Sequence, residues 1–400
     1  MKRKKLLALV LAASMLVGTA LTACTPANES DTSSTGTGSQ TTSDNGEAAP
    51  TGTVVVGALE FNREFTPFFS HSATDVDIYD KVIETLITND REGEPADMCA
   101  TYVEPEVIEE DGVTKTVYTF TLKDDVVFSD GTKPTSDDLI FALKVYCDPK
   151  YDGTASIYTI PIEGVNEYRY DDPDYATKLA EIAEQAAAFD PSTGTTDELI
   201  AYAAAKLSAM YGVGEEGFLA GGEYYDDYTV PYLPNAYQGM LTDAYIDESL
   251  AAGGNRVPDI SGVEKVDDKT IKITIEGVDP AAIWNLGGIP VVPASYYDAD
   301  FKKGDLSKVK AKNDSPMGTG PFVYGGFENN VVTLEANTNY WNGVPKIGKL
   351  RYQVVDESAK IESVSLGDID ISDPSADLER LAAVEEAGLH YELYDFLGYG

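Results

Sequence analysis

Segment 116–147 constrains the fold of this chain more than any other stretch. Tyr118, Phe120 and Leu122 alternate with smaller β-branched residues, which is the two-residue period of a strand with one buried face. A second apolar run, Val126–Phe128, follows, and the Ser-Asp-Gly sequence after it is typical of a tight turn. The pattern predicts two strands that pair with each other.

A helix start follows directly. The hydroxyl of Thr135 stands three residues before Asp138, the spacing at which two such residues cap the first turn of a helix reciprocally. The apolar residues behind them recur at helical spacing: Leu139, Ala142, Leu143 and Tyr146. These residues predict a structural role for the segment, and nothing in it indicates catalysis.

Segment 116–147 also resembles a signature of the extracytoplasmic solute-binding proteins of ABC importers, in the oligopeptide, dipeptide and nickel family (family 5). The matching residues are Tyr118, Thr119, Phe120, Leu122, Val126, Phe128, Asp130, Gly131, Asp138, Phe141 and Leu143. Gly318–Phe322, with Leu334–Asn337 and Asn339–Trp341, resembles a second motif of that family. The resemblance extends over residues 52–400, apart from a divergent middle.

The resemblance implies an α/β fold of the periplasmic-binding-protein type II kind, with two lobes around a cleft. Residues 51–365 would form the first lobe, including an insert at 166–255, and residues 366–400 would begin the second lobe. Most of the second lobe follows such a stretch in the family, so the sequence is expected to be C-terminally truncated. The acidic residue with which peptide-binding relatives grip the ligand α-amino group would then lie beyond Gly400.

The N-terminus resembles a bacterial lipoprotein signal. Basic residues at 2–5 precede an apolar run that ends in Leu21–Cys24, so residues 1–23 predict a signal peptide and Cys24 the lipidated first residue. The alternative is a single transmembrane anchor, since about 18 apolar residues are at the short limit of a span. Residues 24–50 are rich in Ser, Thr and Gly and predict a flexible tether with a reach of about 28 Å.

Charge and cysteine content limit the partners of the chain. With 29 basic and 68 acidic residues the formal net charge is −39, which repels nucleic acids and anionic lipids. Once Cys24 is assigned to lipid, Cys99 and Cys147 form either a disulfide, which an exported location permits, or two buried free thiols. The sequence has no Cys and His cluster with metal-ligand spacing, so neither a metal nor a cofactor is predicted.

Candidate ligand-facing residues follow from the resemblance. In relatives the loop after the proline that corresponds to Pro67 faces the cleft. Four residues of this loop are therefore candidates: Ser70, His71, Ser72 and Ala73. The alternative is an ordinary surface loop. Tyr158 lies near the place where peptide-binding relatives contact the ligand backbone, and Trp284 is a further candidate; packing is the alternative for both aromatic residues.

The divergent middle predicts two Ala-rich helices, at 177–189 and 195–211. Gly, Pro and Asp then predict a loop over 221–239. This stretch is rich in tyrosine: Tyr224, Tyr225, Tyr228, Tyr232 and Tyr237. The insert either reaches the cleft and offers aromatic faces and carboxylates to a cationic peptide, or it packs on itself, which is the usual use of tyrosine and the interpretation that we favour.

The leading functional hypothesis is a lipid-anchored receptor on the outer face of the bacterial cytoplasmic membrane. It would capture oligopeptides or dipeptides as a monomer and deliver them to ABC permease subunits, without catalysis. The same fold could instead bind a sugar or chelated nickel, for which His71 is the single favourable feature. An exported hydrolase is disfavoured, because the chain has only 2 histidines and none of the usual nucleophile or metal motifs.

Overall fold

Two five-stranded sheets, a small sheet that pairs β2 with β3, and a helical insert organise the protein, which a computed structural model describes over residues 49–393. The described strands are β1 (Thr51–Ala58), β2 (Ile87–Asn89), β3 (Pro95–Asp97), β4 (Ala100–Thr101), β5 (Glu106–Glu110), β6 (Val113–Leu122), β7 (Val263–Lys265), β8 (Thr270–Glu276), β9 (Phe322–Glu328), β10 (Val331–Ala336), β11 (Ile347–Val354) and β12 (Ile371–Ser372). The predicted signal peptide, Cys24 and most of the predicted tether lie outside the described residues.

The described helices range from single turns to the long helix α7. They are α1 (Ala73–Tyr79), α2 (Ser136–Tyr146), α3 (Val165–Tyr170), α4 (Tyr175–Ala187), α5 (Pro191–Gly194), α6 (Asp197–Tyr211), α7 (Val230–Ala251), α8 (Ala282–Gly287), α9 (Ala294–Asp298), α10 (Ser307–Lys310), α11 (Lys360–Leu366) and α12 (Leu378–Glu386). None of the helices within 49–393 combines the length and the apolar composition that crossing a bilayer requires.

The first sheet has the strand order β12-β1-β11-β10-β9. Strand β1 runs parallel to both β11 and β12, whereas β10 is antiparallel to β11 and β9. Antiparallel strands commonly bury one face, and β10 accordingly has Val332 and Leu334, two positions apart, in full burial. This sheet joins the N-terminal part of the folded chain to residues more than 250 positions later.

The second sheet contains segment 116–147 and has the order β4-β6-β8-β7, with β5 also paired to β6. Tyr118, Phe120 and Leu122 of β6 are all buried, so the predicted alternation is confirmed. The β7–β8 hairpin forms as well, and the isoleucines of β8 are fully buried at every second position: Ile271, Ile273 and Ile275. Strand β8 pairs with β6 in antiparallel register.

Helix α2 begins where the capping pattern predicts. The Asp138 carboxylate accepts hydrogen bonds from the backbone N–H of Thr135 at 2.8 Å and from its hydroxyl at 3.0 Å. The predicted strand at Val126–Phe128 is wrong. Phe128 instead donates its N–H to the Thr132 carbonyl at 2.8 Å, so a tight turn uses the backbone groups that a partner strand would need, while Val126 and Phe128 still bury their side chains.

The glycines of the second motif permit a close approach between two backbones. A β-carbon added to Gly318 would lie 2.8 Å from the Val82 carbonyl oxygen, and one added to Gly320 would lie 2.7 Å from the Lys81 carbonyl oxygen. Gly320 and Phe322 donate their N–H groups to those same carbonyls, Val82 and Lys81, each at 2.9 Å. The motif therefore serves to seat the start of β9 against the turn that follows α1.

The second family motif ends at a buried carboxylate. Glu84 accepts hydrogen bonds from the Tyr340 hydroxyl at 2.6 Å and from the Trp341 indole N–H at 2.7 Å. The Cys99 thiol lies 3.5 Å from the same carboxylate, and burial raises the pKa of Cys99 well above its usual value. Because the charged side chain is only 4% exposed, these donors stabilise it where water does not.

Helices α4 and α6 of the insert agree with the two helices predicted there. The predicted loop at 221–239 is wrong from Tyr225 onwards, because a π-helical turn, Tyr225–Thr229, leads into the 22-residue helix α7. Pro231 occupies the first turn of α7, where a missing N–H costs no intrahelical bond. Apolar contacts of α7 with α6 then override the loop-like composition.

The insert packs on itself, as the favoured interpretation predicts. Tyr225, Tyr232 and Tyr237 pack against a small cluster that contains Leu199 and Leu233. Phe189 stacks on Tyr237 with ring centroids 4.5 Å apart. These tyrosines therefore cover the apolar side of the α6–α7 pair.

The remaining predictions concern the cysteines and the C-terminal stretch. Cys99 and Cys147 are both buried and both free, so of the two alternatives the structure has the free thiols. Tyr391–Leu393 form no strand, and residues 394–400 lie outside the described part of the chain.

Candidate ligand-binding site

The candidate loop rests on a fixed aromatic base. Phe65 and Phe68 are fully buried and Phe69 is nearly so. The Phe65 N–H donates to the Asn313 carbonyl at 2.7 Å, and the Thr66 hydroxyl donates to the Asn313 side chain at 2.9 Å. Loops that carry function are normally positioned by a rigid scaffold of this kind.

Segment 116–147 supplies part of that scaffold. Phe68 lies 5.0 Å from Tyr146 and 6.5 Å from Phe141, both on α2, and 6.0 Å from Tyr297 on α9, measured between ring centroids. The Tyr146 hydroxyl also donates to the Pro67 carbonyl at 3.2 Å. The helix that the family signature predicts therefore holds the loop that the same resemblance proposes for ligand binding.

The four candidate loop residues differ in accessibility. Ser70 is 9% exposed, and its hydroxyl donates to the Ser72 carbonyl at 3.3 Å. His71 is half exposed and its Nδ1 lies 3.0 Å from a carboxylate oxygen of Glu64. Ser72 is half-buried, and Ala73 is exposed as the first residue of α1. His71, Ser72 and Ala73 can therefore meet a ligand, whereas Ser70 mainly supports them.

The backbone at Ser72 is extended, and neighbouring backbone groups of the loop are unpaired. Ser72 has φ −128° and ψ 130°, which are strand values. Within residues 49–393 the N–H groups of His71 and Ser72 and the carbonyl of His71 make no hydrogen bond. In an extended segment the N–H groups of neighbouring residues point to opposite sides, and those two positions apart share one edge. The N–H groups of His71 and Ala73, the latter also without a hydrogen bond within residues 49–393, are therefore the donors with which an added strand can pair.

Asp75 holds the segment that precedes the loop. Its carboxylate accepts hydrogen bonds from the N–H groups of Glu64 at 2.8 Å and Asn62 at 3.1 Å. Asp75 is fully buried, and this desolvation raises its pKa despite those hydrogen bonds. The carboxylate therefore ties residues 62–64 to α1 and leaves Glu64 beside His71.

A second segment, residues 151–158, lies against the loop. The Tyr151 hydroxyl donates to the Phe68 carbonyl at 2.5 Å, and the Thr154 hydroxyl donates to the Ser70 carbonyl at 3.1 Å. Tyr158 is half-buried; its ring lies 6.3 Å from that of Tyr151 and 4.1 Å from the guanidinium of Arg169. The structure thus connects the Tyr158 segment to the candidate loop through Tyr151.

Trp284 is not connected to this group. It lies on α8 and is 38% exposed, and among residues 49–393 its indole makes neither a hydrogen bond nor a ring–ring contact. Trp284 is therefore not packed in the core, and it makes no contact with the candidate loop.

Sequence analysis missed Tyr151, Thr154 and Glu64 as parts of this site. Tyr151 and Thr154 contact the loop across about 80 positions of sequence, so no local pattern marks them. Glu64 stands seven positions from His71, and only its charge close to the candidate histidine could have drawn attention to it. Within the described residues, no group of three or more His, Cys, Asp or Glu side chains is arranged to hold a metal ion.

The fold is that of a type II periplasmic binding protein. The structure is similar to lactococcal OppA complexed with an endogenous peptide in the closed conformation, with a TM-score of 0.52 and 15% sequence identity. The similarity covers 83% of this chain and 47% of that one. At this level of identity the likeness establishes the fold alone.

The sequence places the chain more narrowly. The model of the bacterial extracellular solute-binding proteins, family 5, matches residues 103–392, and the chain therefore belongs to that family. Di/tripeptide-binding protein 1 of Pseudomonas aeruginosa is 30% identical over 166 residues, which are 40% of this chain and 28% of the relative. Heme-binding protein A of Haemophilus influenzae is 32% identical over 116 residues, 28% of this chain and 21% of the relative.

The chain spans about half the length of the solved structure that it resembles, and its aligned parts span less than a third of these two relatives. The family resemblance that segment 116–147 suggests is confirmed, together with the α/β fold. The roles of the individual loop residues stay predictions.

Proposed function

We propose that this chain is the peptide-binding component of an ABC importer, which captures dipeptides or oligopeptides outside the cell and delivers them to permease subunits. The observation that carries the proposal is the unpaired backbone of the loop around the extended residue Ser72, held on a rigid aromatic base in a member of a solute-binding family. A peptide can pair with such a segment as an added strand, so that its main chain gives affinity for varied sequences. This binding involves no catalysis.

The names of related proteins support the same class of ligand. One relative is named for di- and tripeptides, and the lactococcal structure contains an endogenous peptide. Another relative is named for heme, which makes heme a specific alternative to test. In this proposal residues 51–365 form the lobe that carries the site, and the stretch from residue 366 begins the passage to a second lobe.

Charge near the loop favours a ligand with a free amino group. Two basic side chains beside the loop are already paired: Arg63, next to Glu64 in sequence, lies 2.9 Å from Asp314, and Lys310, over the Phe69 ring, lies 2.7 Å from Asp152. Glu64 is one-third exposed and faces His71. A positively charged peptide amino terminus would gain from this surplus of carboxylate, particularly at low salt.

Ligand identity can be tested on the full chain without assuming an answer. Native mass spectrometry would detect any ligand that co-purifies, and isothermal titration calorimetry would then compare dipeptides, longer peptides, heme, sugars and chelated nickel. We expect saturable binding of peptides, weaker for peptides with an acetylated amino terminus. Recovery of heme, a sugar or chelated nickel, with no peptide binding, would contradict the proposal.

We also propose that lipid on Cys24 anchors the protein to the outer face of the cytoplasmic membrane, with residues 25–50 as a tether. Cys24→Ser should release the protein into the soluble fraction and leave peptide affinity unchanged, because the tether separates the anchor from the loop. Fractionation together with calorimetry tests both parts. Persistent membrane association of the variant would favour a transmembrane anchor instead.

A further inference from the structure

The helical insert carries an exposed apolar surface at the junction of α6, the π-helical turn and α7. Five large apolar side chains form this surface, which we call the tip patch: Met210, Tyr211, Leu219, Tyr228 and Val230. Their exposed fractions are 61%, 52%, 38%, 42% and 38%, in the same order. Single exposed apolar residues are common on soluble proteins, but a contiguous group marks an interaction surface.

Aromatic packing holds the tip patch together. Its centre is Phe218, which is only 2% exposed; the ring of Tyr211 lies 6.2 Å from it, and Tyr211 and Tyr228 are 5.3 Å apart. The Thr229 hydroxyl donates to the Phe218 carbonyl at 2.7 Å, which fixes Val230 beside Phe218 and Leu219. The surface is therefore formed before any partner arrives.

The tip patch is surrounded by uncompensated negative charge. No lysine or arginine occurs between Lys206 and Arg256. Five exposed carboxylates lie between residues 215 and 227: Glu215, Glu216, Glu223, Asp226 and Asp227. None of the five takes part in any of the ion pairs found within residues 49–393. Elsewhere in the described chain many acidic side chains do have a lysine or arginine partner.

We propose that the tip patch docks a basic, amphipathic helical segment of another protein. The apolar centre matches the apolar face of such a helix, and the carboxylate rim matches its lysines and arginines. A second copy of this chain would bring the same five carboxylates against the rim, and nucleic acid or an anionic membrane would add further negative charge. Charge complementarity therefore selects a cationic polypeptide.

The test measures the binding of a labelled peptide to the full chain by fluorescence anisotropy. The probe is a labelled Lys/Leu amphipathic peptide about 18 residues long, or five helical turns. Two matched peptides accompany it, one with Glu in place of Lys and one with Ser in place of Leu. We expect measurable affinity for the Lys/Leu peptide alone, and weakening at high salt.

Two pairs of substitutions separate the contributions. Asp226→Asn with Asp227→Asn should weaken binding by about two- to tenfold at low salt and reduce its salt dependence. Met210→Gln with Leu219→Gln should weaken binding by about three- to tenfold and leave the salt dependence unchanged. Glu184→Gln with Glu248→Gln removes two exposed carboxylates from α4 and α7, outside the tip patch, and should have less than about a twofold effect.

The outcomes distinguish docking from general charge attraction and from cargo binding. Equal loss in the Glu184/Glu248 variant, or equal binding of the Glu/Leu peptide, would overturn the proposal. So would loss of Lys/Leu binding in a variant of the His71–Ala73 loop with an intact tip patch, because the peptide would then occupy the cargo site. Circular dichroism of each variant verifies that the insert helices remain folded.

Discussion

The α/β body and the helical insert are stabilised in different ways. In the body a single buried cluster extends from Ala58 to Tyr352 and contains both family motifs. In the insert the buried side chains form two small clusters, one of five residues around Leu199 and one of three around Phe218. Large continuous cores resist local opening better than small satellite clusters, so we expect the insert to open before the body does.

Polar contacts join the two regions at the base of the insert. Lys303, from the body, lies 2.7 Å from the Asp171 carboxylate and donates to the Val257 carbonyl at 2.5 Å. Asp171 also accepts from the N–H groups of Val257 and Arg256. A pair with both side chains buried is costly to break, since one charge is then left without a partner. Directional bonds thus attach the insert to the body, beside the buried Tyr168 that the insert contributes to the body's core.

The largest effect is expected from Phe68→Ala, in the body. Phe68 is fully buried and contacts four other rings, and such a truncation costs about 3–5 kcal/mol in free energy of unfolding. Both tryptophans of the chain lie outside the insert, so urea unfolding followed by tryptophan fluorescence reports on the body. Peptide affinity should fall as well, because Phe68 supports the candidate loop.

Phe189→Ala provides the matched change in the insert. Phe189 is half-buried and stacks on Tyr237, so we expect a loss of about 1–2 kcal/mol, from partial burial of the ring. The loss should appear in helical circular dichroism and leave tryptophan fluorescence and peptide affinity unchanged. Coincident unfolding curves from both probes in this variant would show that the insert and the body unfold as one unit.

The second prediction concerns the junction. Lys303→Ala leaves the Asp171 carboxylate, 1% exposed, without its cationic partner, and we expect a loss of about 3 kcal/mol in the stability of the insert. Lys303→Met with Asp171→Asn should lose less, because neither member of the buried pair then carries a charge. Asn suits this position, since Asp171 has φ 50° and Asn tolerates that conformation. Circular dichroism during urea unfolding measures the stability of the insert in both variants. If the double variant is less stable than Lys303→Ala, the ion pair itself stabilises the junction.

Sequence patterns predicted the elements whose signals are local. The alternation of β6 and the capping of α2 each depend on residues within a few positions of one another. Helix α7 was missed because its prolines and acidic residues favour a loop, and only tertiary contacts with α6 show otherwise. The partners of Glu84 are more than 250 positions away, a distance over which sequence periodicity carries no information.

The third prediction uses pH to separate the two regions. Although burial opposes ionisation of Asp171, hydrogen bonds from Lys303, Val257 and Arg256 lower its pKa, whereas burial raises the pKa of Asp75 in the body. A lowered carboxyl pKa gives stability that is present above the unfolded value of about 3.9 and is lost as pH falls below it. A raised pKa has the opposite sign, so the contribution of Asp75 improves as pH falls towards about 3.9.

Acidification to about pH 3 should therefore loosen the base of the insert, while the Asp75 contact is retained. Hydrogen exchange followed by mass spectrometry, corrected for intrinsic exchange rates, can compare residues 165–257 with residues 61–80. In Asp171→Asn the additional acid sensitivity of the insert should disappear. Equal acid sensitivity of the two segments would contradict the opposite pKa shifts.

The smallest change in stability is expected from Ala73→Pro, which tests the site by removing one backbone donor. Ala73 is the first residue of α1 and follows an extended Ser72, a position where proline is favoured and the missing N–H breaks no helical bond. Peptide affinity should fall by about two- to tenfold for one lost hydrogen bond, with unchanged urea unfolding. Asp197→Pro makes the same change at the first residue of α6, after an extended Thr196, and should leave affinity unchanged. Because both prolines occupy equivalent helix positions, a difference in affinity alone would locate the ligand at the body's loop, and equal affinity in both variants would exclude the Ala73 N–H from binding.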